Sequence, residues 1–345
     1  MSQLTQEPTS AYLWQRPASG DKLTCTLCPR QCTLAPGQRG FCFIRAREGE
    51  KIVNTSYGIA SGVAIDPIEK KPLYHFLPGS PILSLGTLGC NMGCLFCQNS
   101  HLSKNRAPQE LGVPLPPRQV VALAQRYACP SIAYTYNDPV IWADYALDCA
   151  HLAREAGIYS VAVSAGFINP QPRAQLFGAM RGANIDLKSF NPAFYKRYCQ
   201  ADLEVVLETL RYIRRQTSCW LEVTTLIIPT LNDSPEEIKA LTRWIRDELG
   251  AHTPLHLSAF HPAYKLKDLP PTPAQTLISA RQLALEEGLH YVYTGNIHDP
   301  GGQTTFCAKC GQALIERSLG GISLPGLKGE GICSQCATPL PGVWS

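Results

Sequence analysis

The chain has 345 residues, 45% hydrophobic and 17% charged, which is a globular composition and enough for one large domain with small appendages. A net charge of +4 is too weak for a nucleic-acid face, and the densest basic run, 211–215, falls on an amphipathic helix where a solvated face explains it. No apolar run approaches the ~20 residues of a membrane span and the first 21 residues are polar, so membrane insertion and secretion are not expected and a cytoplasmic location is.

Cytosolic thiols stay reduced, so the 15 cysteines argue for metal rather than disulfides, the more so because eleven fall in three tight groups. The first group is Cys25-x2-Cys28-x3-Cys32-x9-Cys42. Four thiolates in so short a span suit either a tetrahedral zinc site or a second, fully ligated [4Fe–4S] cluster, and spacing does not separate the two. This group belongs to an N-terminal region expected over residues 1–80.

From residue 82 onward, strand-like and helix-like segments alternate. Segments 82–86, 131–136, 160–164, 184–188, 221–228, 255–260 and 291–294 are short, apolar and rich in β-branched or aromatic residues. Between them, 144–156, 202–216, 234–249 and 273–288 carry helical periodicity; Leu203, Val206, Leu207, Leu210 and Ile213 fall on one face. Ser234-Pro-Glu-Glu is a helix start signal. The alternation predicts an α/β fold over residues 81–296, a parallel sheet curled into a full or partial (β/α) barrel, with an open doubly wound sheet as the other arrangement. No Gly-x-Gly-x-x-Gly or Gly-Lys-Ser/Thr loop marks a nucleotide-binding version.

The second group, Cys90-x3-Cys94-x2-Cys97, follows the first barrel strand. Three thiolates on one loop can hold three irons of a cubane and leave the fourth for an outside ligand. A zinc site completed elsewhere is the plain alternative. With Phe96 between the last two cysteines, the loop resembles the radical S-adenosylmethionine (SAM) superfamily. The segment CNMGCLFCQNS from Cys90, with the upstream IEKKPLYHFLPG from Ile68, resembles the AmmeMemoRadiSam system radical SAM enzyme family, itself similar to the pyruvate formate-lyase activating enzymes. The resemblance runs from about Cys25 to Cys336. It implies a partial (β/α)6 barrel, a [4Fe–4S] cluster that reductively cleaves SAM to a 5′-deoxyadenosyl radical, an electron donor such as flavodoxin or ferredoxin, and association with Memo-like and AMMECR-like proteins.

Further positions follow from that resemblance. Asn137 and Asp138 match the Gly-Gly-Glu-Pro segment that holds the SAM amino group, although a helix N-cap reading is equally compatible. Ser164 precedes Ala165-Gly166, where related enzymes usually carry asparagine before the glycine, so Ser164 or the backbone supplies the contact. Asp186 and Lys188 match an Asp-x-Lys that contacts the SAM carboxylate or ribose, and His261 matches a SAM-contacting histidine. Glu222 and Thr224 point the same way along their strand, into the barrel, and Glu222 joins Phe96 among the expected cofactor contacts.

The third group, Cys307-x2-Cys310-Gly-x21-Cys333-x2-Cys336, lies in the region 297–345 and reads as a zinc ribbon or rubredoxin-like module. Cys129, Cys149, Cys199 and Cys219 read as small buried hydrophobes without close partners. Two other functions compete: a glycyl-radical activase, which the separate terminal metal groups disfavour, and a non-catalytic zinc-binding adaptor, which leaves Cys90, Cys94 and Cys97 without a role.

Overall fold

The computed structural model describes residues 14–106, 112–318 and 321–345. Its central sheet has eight strands: β1 (Gly62–Pro67), β2 (Pro81–Gly86), β3 (Ser131–Tyr134), β4 (Tyr159–Ser164), β5 (Gly182–Asp186), β6 (Trp220–Ile227), β7 (Leu255–Ala259) and β8 (Val292–Gly295). Strands β2 to β8 run parallel and lie side by side in chain order. That order never reverses. A doubly wound sheet reverses at a switch point, whereas a barrel does not, so the open alternative falls away. The sheet is not closed, because β1 and β8 are its two edges. Seven parallel strands, matching the seven strand-like segments of the sequence, therefore make a partial barrel.

Strand β1 was not foreseen. It pairs antiparallel with β2 in strict register from Gly62↔Gly86 to Pro67↔Pro81, so the central sheet begins inside the expected N-terminal region. Its burial alternates with Val63 and Ile65 exposed, which is how an edge strand with one solvated face reads. The inner strands are largely buried; all four residues of β3 are.

Six helices cover the sheet: α1 (Pro117–Arg126), α2 (Ala143–Glu155), α3 (Pro170–Gly178), α4 (Leu203–Gln216), α5 (Pro235–Leu249) and α6 (Ala274–Glu286). Helix α4 buries Leu203, Val206, Leu207, Leu210 and Ile213, the face read from the sequence, and Asp202 caps it by accepting from the Glu204 amide. In α5 the Ser234 side chain accepts from the Glu237 amide, with Pro235 at the first helical position. No described helix is long and apolar enough to cross a membrane.

The two mouths of the barrel are finished differently. At the N-terminal ends of the strands, the segment from Lys71 to Gly79 and the C-terminal region form a floor. Phe76 packs against the start of β5 at Gly182, Asn184 Nδ2 donates to the Pro72 carbonyl, and Val343 accepts from the Leu77 amide while its own amide donates to the His75 carbonyl. Beneath lies a small ribbon, with Thr305–Phe306, Ala313–Ser318 and Gly321–Ser323 antiparallel and a hairpin of Leu327–Lys328 with Ile332–Cys333. The other mouth, at the C-terminal strand ends, carries the second cysteine group.

Candidate functional site

The loop bearing Cys90, Cys94 and Cys97 leaves β2 at its C-terminal end, and several elements hold it. Asn137, just after β3, spends its whole amide there: Oδ1 accepts from the Thr87 amide at 3.0 Å, while Nδ2 donates to Thr87 Oγ1 and to the Leu88 and Gly89 carbonyls at 3.0 to 3.1 Å. Gly89 has φ +80°, and a Cβ there would stand 2.0 Å from the Cys42 carbonyl oxygen, so only glycine fits. Beyond Cys90, the amides of Gly93 and Leu95 donate to the carbonyls of Cys199 and Tyr198, docking the loop on a π-helical turn, Tyr195–Cys199. Lys265, in the loop after β7, closes the far side by donating to the Leu95 carbonyl.

The thiols of Cys90 and Cys94 feel opposite influences. Cys90 Sγ accepts from the Met92 amide, and Cys97 Sγ lies 3.1 Å from Ser103 Oγ. Burial, the largest influence, pushes the Cys90 thiol up to about 12, with the Asp138 charge adding to it and Lys104 opposing. Cys94 is held below the ordinary thiol value by a hydrogen bond from Cys199 and then by Lys188 and Lys104, while Cys199 is pushed well above it by burial and by Cys94. Cys199 thus has a close partner after all; its role was invisible because the contact joins residues 105 apart in sequence.

The other expected site residues divide. Asp138 is buried and fully engaged: Oδ1 accepts from Ser164 Oγ at 2.8 Å and the Val140 amide at 3.1 Å, and Oδ2 from the Ala165 amide at 2.9 Å. It caps the short 3-10 helix Pro139–Trp142 and fixes the Ser164-Ala165-Gly166 turn. Asp186 ends β5, with Lys188 Nζ 2.8 Å away; that ammonium stays charged because Asp186 and Cys94 outweigh its burial, the largest single influence. Lys188 also lies 6.0 Å from the Phe96 ring, so Phe96, Cys94, Lys188 and Asp186 form one neighbourhood at the mouth. His261 is exposed in the loop after β7, on the segment that reaches Leu95.

Glu222 is the correction. It is the third residue of β6, at the opposite mouth, with no exposed surface. Its carboxylate accepts from the Tyr74 and His75 amides at 2.9 and 2.8 Å and from Trp220 Nε1 at 3.0 Å, and lies 2.6 Å from His256 Nε2. Burial alone would raise its pKa, but His256 and these donors hold it below the usual carboxylate value. Period-two geometry did aim it inward; only its depth along the strand removes it from the cofactor mouth.

The terminal cysteine groups differ in kind. Cys307, Cys310, Cys333 and Cys336 have their Sγ atoms within 4.8 Å of one another, with Cys307–Cys336 at 3.6 Å and Cys310–Cys333 at 3.7 Å. Tetrahedral Zn–S bonds of about 2.3 Å place sulfurs about 3.8 Å apart, so this is a cage for a single ion. Gly311 follows one knuckle at φ +74° and Ala337 the other at φ +58°, two copies of one turn. Cys25, Cys28, Cys32 and Cys42 line a shared cavity beside the cluster loop instead.

Comparison with known proteins agrees with this geometry. Residues 85–245, from the end of β2 into α5, match the radical SAM superfamily. An uncharacterized protein of Methanocaldococcus jannaschii is 44% identical over 300 residues, covering 87% of this chain and 89% of that relative. Among solved structures, a radical SAM methyltransferase from Sphaerobacter thermophilus aligns with a TM-score of 0.50 at 15% identity, over 69% of this chain and 71% of that one. Streptococcus suis SuiB bound to its precursor peptide SuiA aligns with a TM-score of 0.50 at 12% identity, over 67% and 52%. The chain belongs to the radical SAM superfamily, and its fold is the α/β fold of that class with a C-terminal four-cysteine metal-binding module. That domain implies a [4Fe–4S] cluster and SAM. Three thiols on one loop, none grouped closely enough with others to close around a single ion, fit a cubane with one open corner.

Proposed function

We propose that Cys90, Cys94 and Cys97 ligate the [4Fe–4S] cluster and that the barrel mouth around Cys94 binds SAM for hydrogen abstraction from a substrate. The observation that carries this reading is the meeting of Cys94, Lys188, Asp186 and Phe96 at the C-terminal strand ends, where barrel enzymes keep their chemistry. When bound, cluster and SAM supply a 5′-deoxyadenosyl radical by one-electron reductive cleavage. The chain's own part is to hold and charge the site. Lys104 and Lys188 oppose the negative charge of the thiolates, and the hydrogen bond from Cys199 lowers the Cys94 thiol. Lys188 offers an ammonium to a carboxylate and Asp186 an acceptor to hydroxyl or amino groups. The Ser164–Gly166 turn, held by Asp138, presents backbone beside them. His261, on the loop over Leu95, is positioned to complete the rim.

The finer reading is an AmmeMemoRadiSam-type enzyme, working with a flavodoxin or ferredoxin donor and with Memo-like and AMMECR-like proteins; its support is the pair of motifs at Ile68 and Cys90. A zinc-binding adaptor would leave the charged neighbourhood of Cys94 without a use. The test is Cys94→Ala in the full chain. We expect SAM cleavage to disappear while the folded-state circular dichroism spectrum stays as in the wild type, because Cys94 sits on a loop outside every helix and strand and alanine is a small apolar replacement. Retained cleavage with an intact cluster signal contradicts the assignment.

A further inference from the structure

Among the described residues, the C-terminal quartet is the one set of ligand-type side chains drawn in around the space of a single ion. The N-terminal quartet is not. Cys25, Cys28, Cys32 and Cys42 instead share the wall of one cavity with Arg30 and Asn91. Thiols that face a common space yet stand outside single-ion range leave room for a body between them. Each sulfur is also met by backbone amides: Leu27 at Cys25, Arg30 at Cys28, Phe41 at Cys32 and both Ile44 and Arg45 at Cys42. Such donors, with the nearby guanidiniums of Arg30 and Arg45, offset the net negative charge of a four-thiolate cluster and tune its potential.

We infer that this quartet holds a second, fully ligated [4Fe–4S] cluster that passes single electrons to the cluster at Cys90, Cys94 and Cys97. The two cradles share parts. Asn91, inside the second cysteine loop, forms part of the first cavity's wall and hydrogen-bonds Cys28. Gly89 backs directly onto the Cys42 carbonyl. Arg30 bridges both, donating to the Asn91 and Gln200 carbonyls while feeling the charges of Cys28, Cys32, Cys90 and Cys94. On the outer side, the Arg30 guanidinium stacks 3.5 Å over the exposed Phe41 ring beside half-buried Cys32, which opens this cluster toward a docking donor. A low-potential one-electron donor of the flavin or iron–sulfur class reduces the outer cluster by one electron, and that electron moves inward; no bond or proton changes place. The relay rests on the function proposed above, whereas the metal content does not.

The full chain carrying Cys90→Ala, Cys94→Ala and Cys97→Ala, reconstituted anaerobically with ferrous iron and sulfide, should retain ~4 iron and ~4 sulfide with ~1 zinc per chain. Its dithionite-reduced resonance should ignore SAM. A variant with ~2 zinc and no iron overturns the second cluster. In the wild type, ~8 iron and a reduced spectrum broadened by spin coupling, beyond the sum of the two separate clusters, support the relay; an unbroadened sum overturns it. An iron-free triple variant beside a SAM-responsive wild type sinks this inference alone. An iron-bearing variant beside a SAM-indifferent wild type supports the second cluster and sinks the proposed function.

Discussion

Asn137 shows how one side chain can place a cysteine loop. All of its hydrogen-bonding capacity goes to Thr87, Leu88 and Gly89, so its removal orphans several buried groups at about 1–3 kcal/mol each. Asn137→Ala should reduce the iron retained after reconstitution, and Asn137→Asp should reduce it further, because a carboxylate would face the two carbonyls that Nδ2 now serves. If Asn137 acted mainly on the SAM amino group, aspartate would be tolerated; iron content and SAM affinity, measured on both variants, separate the two roles. His75 is a second residue whose chemistry is set by its surroundings. It is fully buried, with Nδ1 2.8 Å from the Pro341 carbonyl and Nε2 2.6 Å from Tyr293 Oη, and burial, only partly opposed by Glu222, lowers its pKa to about 4. The unfolded chain, with a value near 6.5, binds more protons in between, so the stability of the neutral folded form is complete above pH ~6.5 and is lost as pH falls toward ~4. Denaturant unfolding should lose about 3 kcal/mol across that window, and His75→Gln should flatten the slope. An unchanged slope would mean that His75 does not carry it.

At the scale of elements, the two knuckles of the C-terminal ribbon are one turn built with different residues. Gly311 adopts its left-handed conformation freely, while Ala337 bears the strain that a Cβ brings there, about 1–2 kcal/mol. Ala337→Gly recovers that strain and gives back part of it as unfolded-chain entropy, so it should stabilise the ribbon by about 0.5–1 kcal/mol, read as slower loss of its metal to a chelator. Faster loss would contradict the equivalence of the two knuckles. The C-x2-C-Gly spacing made the first knuckle legible in the sequence, and the helical faces of α4 and α5 were equally plain because local periodicity and capping define them. Strand β1 escaped notice for the opposite reason: it is an exposed edge whose place in the sheet depends on pairing with a partner strand beyond an intervening loop.

For the whole molecule, the division of labour between the barrel mouths was the part that sequence could not convey. Seven parallel strands and the cysteine loop at their C-terminal ends follow from alternation and spacing. The depth of Glu222 does not, because its partners Tyr74 and His75 lie 148 and 147 residues away. The Ile68 motif and the four-cysteine ribbon turn out to share one task, closing the N-terminal mouth, through Arg317 donating to the Tyr74 carbonyl and Val343 bonding to His75. On the function proposed above, that leaves the chemistry to the other end, where Cys94, Lys188 and Asp186 meet. The most direct test of that account is electron paramagnetic resonance of the anaerobically reconstituted, dithionite-reduced protein, recorded with and without SAM. We predict a reduced [4Fe–4S] signal that shifts on SAM addition, accompanied by 5′-deoxyadenosine. A signal indifferent to SAM, or no iron at Cys90, Cys94 and Cys97, would contradict it.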